Sequence, residues 1–178
     1  MIWQEKPFDP DVFTLLKKNN LFSPLTAKLL SGRSISSVDE AKSFLSPKLA
    51  YLTDPFDIPQ MNQSVDRIET ALANKEEILL IGDYDADGIS SVSIVQKVLS
   101  ELGGNSSYVI PKRHDEGYGL TQKVLERGLE NKSAALVIAL DCGTNSIEEA
   151  NFLREKGIDL IVVDHHQAKG IVSDHAII

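Results

Sequence analysis

From Lys75 onward the chain is marked by four short apolar runs: Ile78-Leu79-Leu80-Ile81, Tyr108-Val109-Ile110, Ala135 to Leu140, and Leu160-Ile161-Val162-Val163. None alternates with polar residues, which fits strands buried on both faces. Between the runs, apolar residues recur at helical spacing. Val92, Val95, Val98, Leu99 and Leu102 share one face, and Gly103-Gly104 closes that helix; Val124, Leu125, Leu129 form a second face and Ile147, Ala150, Leu153 a third, ending at Gly157. Strands alternating with helices predict an α/β fold, a parallel β-sheet flanked by helices, over residues 76–178.

Residues 1–75 have a different texture. They hold six of the seven prolines, and their apolar residues form short helical patterns with no strand. Pro24 to Leu30 is one such pattern. Ser37-Val38-Asp39-Glu40-Ala41 is another, with Ser37 as N-cap and Glu40 at the capping-box position. Val65, Ile68 and Leu72 predict a longer helix over about 60–74. The expectation is a small helical N-terminal region preceding the α/β domain.

Composition narrows the class. At 178 residues, 42% hydrophobic and 25% charged, the chain is ordinary for a globular protein. No apolar run approaches the ~20 residues needed to span a bilayer, and no basic start leads into an apolar stretch as in a signal peptide. The single cysteine, Cys142, excludes an internal disulfide. A cytoplasmic protein without membrane contact is expected. The net charge of −8 argues mildly against a nucleic-acid partner, unless part of it is gathered at a cation site.

In open α/β sheets ligands bind beyond the carboxyl ends of the strands. The first run releases Gly82-Asp83-Tyr84-Asp85-Ala86-Asp87-Gly88, the third Asp141-Cys142-Gly143, and the fourth Asp164-His165-His166. Carboxylates gathered on one edge repel one another, and a divalent cation resolves the conflict. Oxygen donors with imidazoles suit Mn²⁺ or Mg²⁺. The alternative is that each Asp merely caps a helix. An EF-hand reading of the Asp83-x-Asp85-x-Asp87 stretch fails, because its twelfth residue is Ile94 and a strand precedes it. An aspartyl-phosphate phosphatase pattern fits weakly, since Asp87 stands where Thr or Val belongs, and no dinucleotide-binding glycine pattern is present. Cys142 lies among acids and reads as a packed residue, not a nucleophile. Beyond the second run, Arg113 is suited to hold a phosphate and Tyr118, between Gly117 and Gly119, to stack on a base; a plain surface turn explains the same residues. Ser90, at the start of a helix, either receives an anion or caps it.

Asp164-His165-His166 after a strand resembles the motif that names the DHH phosphoesterases. Gly82 to Gly88 resembles their first motif in the form typical of RecJ-type single-strand-specific exonucleases, and Asp141-Cys142-Gly143 the second. Pro111-x-Arg113, Glu116 to Leu120, Ala41-x-x-Phe44-Leu45-x-Pro47 and Leu52-x-Asp54-Pro55 extend the RecJ-type likeness over nearly the whole chain. The resemblance implies a site for two Mn²⁺ or Mg²⁺ ions. Asp87, Asp141 and His165 would hold one; Asp85 and the bridging Asp141 the other. Many relatives carry a His where Ile81 stands here, and Asp83 would replace it. His166 would contact phosphate or support the metal shell, and Arg113 the substrate. The implied activity is metal-dependent 5′→3′ hydrolysis of single-stranded DNA in recombination and repair, beside partners such as a helicase or single-strand-binding protein. A phosphodiesterase acting on oligoribonucleotides or cyclic dinucleotides, and a non-catalytic DHH scaffold, remain as alternatives. The resemblance also leads us to expect an incomplete DHH domain, lacking the fourth-motif Asp and the DHHA1 lobe, and inactive alone.

Overall fold

The computed structural model describes residues 4, 6–18, 21–170 and 173–177. The chain divides into two compact units, Met1–Asp54 and Pro55–Ile178. In the first, helices α1 (Pro10–Lys18), α2 (Pro24–Ser31) and α3 (Val38–Leu45) bury Leu16, Ala27, Leu30 and Ala41 against one another. Ser23 caps α2 ahead of Pro24, and Ser37 caps α3 by accepting from Glu40 N–H at 3.1 Å. The reciprocal bond of the expected capping box goes one residue further back: Ser36, not Ser37, donates its N–H to Glu40 Oε2 at 2.8 Å.

The second unit is a three-layer sandwich. It contains α4 (Met61–Asn74), β1 (Glu77–Gly82), α5 (Ala86–Glu101), β2 (Asn105–Val109), α6 (Gln122–Leu129), β3 (Ala134–Leu140), α7 (Ile147–Glu155), β4 (Asp159–Val163) and β5 (Ala176–Ile177). All neighbouring strands pair in parallel, in the order β2-β1-β3-β4-β5. The strand alternation sorts the core into two layers. Ile78, Leu80, Leu136, Ile138 and Ile161 pack with Ala71 of α4 and Val92 and Leu99 of α5. Leu79, Ile81, Val137, Ala139 and Val162 pack on the other face with Val124 of α6 and Leu153 of α7.

Three features depart from the expectations. The unit boundary falls at Asp54/Pro55, whereas the texture of the sequence predicts one near 75. The reason is that α4 lays Ile68, Ala71 and Leu72 on the sheet. Val98 and Leu102, the latter just past the end of α5, do not join the buried face; they stand 48% and 63% exposed. Strand β5, two residues long, carries no readable pattern.

The site's position follows from topology and register. The chain leaves β1 in one direction to β2 and returns to β3 on its other side, so the strand order reverses between β1 and β3. That reversal is where open parallel sheets form a crevice at their carboxyl ends. Gly82 pairs with Leu140, and Leu140 with Val163. The next residue of each strand is therefore Asp83, Asp141 and Asp164, set in one row.

Candidate metal centre

The exit of β1 is shaped by a close helix. A Cβ on Gly88 would lie 2.4 Å from the backbone N and O of Asp83, so only glycine lets α5 begin there. Asp85 caps that helix, its Oδ1 accepting from Asp87 N–H and Gly88 N–H at 3.0 Å each. One carboxylate oxygen of Asp85 remains, and the Asp87 side chain projects from the first turn. Asp83 is fully buried. Its Oδ1 accepts from Tyr84 N–H at 2.7 Å, and its enclosed Oδ2 has no hydrogen-bond partner of good geometry. The Tyr118 hydroxyl faces this carboxylate and is pushed above the ordinary phenol range by it, by burial, and by Asp85 and Asp141. Ile81 lies wholly in the core with α6, its side chain unavailable to any site.

Asp141 leaves β3 with φ of +61°, a left-handed conformation that Asp tolerates better than most residues, while its N–H donates to Val163 O at 2.8 Å. Such backbone conformations gather at functional sites. The carboxyl is buried, and burial together with the charges of Asp85 and Asp87 pushes its pKa up. His165 places Nε2 3.2 Å from Asp141 Oδ1 on an otherwise exposed ring. Ligand atoms of Asp141, His165 and His166 all lie within 4.8 Å of one another. Asp83, Asp85 and Asp87 are not part of that three-residue group, although Asp87, Ser90, Asp141 and His165 line one cavity of about 340 Å³.

The third acid of the row has a different task, which the sequence does not reveal. Asp164 accepts from Thr144 N–H (3.1 Å) and Thr144 Oγ1 (2.7 Å) through Oδ2, and meets His166 N–H (3.1 Å) and Nδ1 (2.7 Å) through Oδ1. Burial opposes its ionisation, but these hydrogen bonds win and hold its pKa at about 2. The hydrogen bond and charge of Asp164 raise the His166 pKa in turn, and occupy Nδ1 of that ring, leaving Nε2 as its other nitrogen. Carboxylates that orient imidazoles in this way fix the ring's tautomer and direction.

Tyr118, half-exposed, packs edge-on against Tyr84 at 5.6 Å and against the His166 ring at 6.3 Å. The Arg113 guanidinium sits 5.2 Å over Tyr84. Tyr84, part of the first motif, thus links Arg113 to Tyr118, and Tyr118 in turn reaches His166. The loop carrying Arg113 and Tyr118 is fixed from below. Arg127 clasps Glu116 with two N–H groups and donates to Ile110 O at 2.9 Å, while Lys112 N–H donates to Glu116 Oε2 at 2.7 Å. Cys142 is buried, and burial first, then the nearby acids, push its thiol up to about 12, which excludes it as a nucleophile at neutral pH. His114 is exposed, and His175 is half-buried against Ile158 O at 3.2 Å, away from the cluster.

Fold and cluster together describe one family. Residues 77–178 match the DHH family, N-terminal domain, and the chain belongs to that family. It is 35% identical over 167 residues to the single-stranded-DNA-specific exonuclease RecJ of Bacillus subtilis (strain 168), covering 94% of this chain and 21% of the relative. To the protein of the same name from Haemophilus influenzae it is 33% identical over 144 residues, covering 80% of this chain and 24% of the relative. Among solved structures it resembles exonuclease RecJ bound to manganese, at a TM-score of 0.61 and 29% identity, over 73% of this chain and 32% of that one. The chain spans under a quarter of the length of these curated relatives.

Proposed function

We propose that this chain carries the catalytic DHH domain of a metal-dependent exonuclease that hydrolyses phosphodiester bonds of single-stranded DNA from the 5′ end, in recombination and repair. One observation carries the reading. Asp141, His165 and His166 converge within 4.8 Å, and the Asp141 carboxyl is pushed up by burial first and then by Asp85 and Asp87, with no Lys or Arg paired to any of the three acids among the described residues. Carboxylate oxygens with imidazole nitrogens suit Mn²⁺ or Mg²⁺. The relatives' names, and the manganese in the similar RecJ structure, point the same way.

On this reading Asp87, Asp141 and His165 hold one ion, Asp85 and Asp141 the second. Asp83, turned onto Tyr84 N–H, supports the row with its enclosed Oδ2 facing inward. Bound cations would supply Lewis acidity toward the scissile phosphate and lower the pKa of the attacking water. The chain's own side chains do the rest. Asp164 holds His166 so that its outer nitrogen meets a phosphate oxygen. Arg113 and Tyr118 receive the strand by charge and by stacking. Ser90 does not open or cap α5, as the sequence suggests, because the helix starts at Ala86 behind the Asp85 cap; it lies one turn in and lines the same cavity as Asp87. A cytoplasmic setting and cooperation with a helicase or single-strand-binding protein belong to the same proposal. No helix among the described residues is long and apolar enough to cross a membrane.

The test is hydrolysis by the full-length protein of 5′-phosphorylated single strands, duplexes and oligoribonucleotides, with Mn²⁺, Mg²⁺ or chelator. Mononucleotide release from single-stranded DNA, dependent on the cation, is expected. A preference for oligoribonucleotides or cyclic dinucleotides would move the assignment to another DHH phosphodiesterase.

A further inference from the structure

Gly143 turns the chain sharply at the end of β3. Its φ is +111°, and a Cβ there would come within 3.2 Å of the side chains of Ala139 and Val162. Ser146 N–H donates back to Gly143 O at 2.9 Å, and Ala150 N–H to Ser146 O at 3.0 Å as α7 begins. The turn is thereby fastened to β3 on one side and, through buried Ala150 and Leu153, to the core on the other. Three successive side chains fan out from it. Thr144 holds Asp164. Asn145 donates through Nδ2 to Gln167 O at 3.2 Å and accepts through Oδ1 from Lys169 N–H at 2.7 Å. Ser146 Oγ donates to Leu120 O at 2.9 Å, tying down the loop that bears Tyr118.

His165 needs such support. Its ring is 75% exposed, and its one hydrogen-bonding contact with a described side chain is the 3.2 Å approach to Asp141. Its backbone belongs to the loop that leaves β4 after Val163. Thr144 grips that loop just before His165, and Asn145 grips it just after His166. We propose that Asn145 is a positioning residue for the metal-binding imidazole: its side-chain amide, bonded to Gln167 O and Lys169 N–H, fixes the loop so that His165 Nε2 stays at Asp141. The proposal rests on the reading of Asp141 and His165 as ligands of a divalent ion. Asn145 touches neither ion nor substrate; it acts through the loop. Outer-shell supports of metal ligands commonly change metal affinity or activity by about 10- to 100-fold when removed, and the low end applies to an exposed pair of hydrogen bonds.

The experiment compares wild type, Asn145→Ala, Asn145→Asp and His165→Ala in the full chain. Mn²⁺ affinity is read by calorimetry, imidazole coordination by electron spin echo modulation from nitrogen at bound Mn²⁺, and folding by thermal melting. KM for single-stranded DNA is measured at saturating Mn²⁺. Asn145→Ala is expected to weaken Mn²⁺ binding about tenfold and reduce the nitrogen modulation, with the melting temperature and KM little changed. Asn145→Asp keeps the acceptor for Lys169 N–H and should restore most of the modulation. It also stands in if the alanine variant fails to fold. Unchanged Mn²⁺ affinity with raised KM would make Asn145 a substrate contact and overturn the proposal. A lowered melting temperature with unchanged affinity and modulation would reduce Asn145 to a structural tie and overturn it equally. If His165→Ala binds Mn²⁺ like wild type, the metal-site reading falls and takes this proposal with it; a failure of Asn145 alone leaves the His165→Ala defect in place.

Discussion

At the amino ends of the sheet, Glu76 and Asp159 meet the Arg67 guanidinium, which also donates to Ala135 O at 3.3 Å. At the carboxyl ends, Asp83, Asp85, Asp87 and Asp141 pair with no Lys or Arg among the described residues. The consequence shows in the acids themselves. The hydrogen bond from Arg67 draws the Glu76 carboxyl below its ordinary range. Burial and neighbouring carboxylates push that of Asp141 above it. Where the protein supplies its own cation, the acids are architecture; where it supplies none, the acids repel one another, which is the situation the proposed cation site would relieve. The edges differ in the number of acids, two named at one and four at the other, and in the presence of a resident guanidinium, which only the first has among the described residues.

The sharpest way to break this comparison is at Asp141. Asp141→Asn keeps the left-handed backbone and removes the charge, whereas Asp141→Ala adds strain at a φ of +61°. Both should lower cleavage by roughly three decades, the scale of several kcal/mol of lost electrostatic stabilisation. Melting of the cation-free asparagine variant should be no worse than wild type. Wild-type cleavage by either variant would remove the site. Arg67→Ala is the counterpart at the other edge. It leaves Glu76 and Asp159 unpaired, one of them half-exposed, so stability should fall by about 1–3 kcal/mol in urea unfolding. Mn²⁺ affinity should not change, and a lost Mn²⁺ response in a folded Arg67→Ala protein would contradict the division between the edges.

Glu116 sharpens the comparison, because it belongs to the loop beside the site yet has its own guanidinium. Hydrogen bonds from Arg127 hold its pKa at about 2. With an unfolded value of roughly 4.3, its folded pKa is the lower one. Its stabilisation is therefore full above the unfolded pKa and is lost as pH falls toward 2. Glu116→Gln should flatten the stability profile in that window; an unaltered acid limb would show that the pair is idle. The smallest effect is expected at Arg113→Ala. Single-stranded DNA binding should weaken a few-fold, the ~1 kcal/mol of an exposed cationic contact, with Mn²⁺ affinity intact.

Much of this architecture is legible in the chain itself. The apolar runs beginning at Ile78, Ala135 and Leu160 announce the central strands, because burial on both faces leaves no polar interruption. The strand-end acids announce the edge on which Asp141, His165 and His166 converge. What stays hidden depends on long-range pairing. Asp164 looks equivalent to Asp141 in sequence, and Thr144, twenty positions away, sets it apart by holding it together with the nearby His166. Arg67 and Asp159 are separated by 92 positions, and no local pattern links them. Val98 and Leu102 have the spacing of core residues but stand exposed. Periodicity reports which residues share a face, not whether anything covers it.

The pairing of Gly82 with Leu140, and of Leu140 with Val163, also governs how this domain tolerates insertions. One extra residue within β3 would exchange the two faces of that strand and ruin the core. Two extra residues would restore the faces, yet carry Asp141 about 6.6 Å further along the strand direction, at ~3.3 Å per residue. Such a protein would keep its interior and lose its alignment with the loop of His165. Length changes in the central strand are thus read twice, in steps of one by the interior and in steps of two by the row of strand-end acids, and only an unaltered count satisfies both.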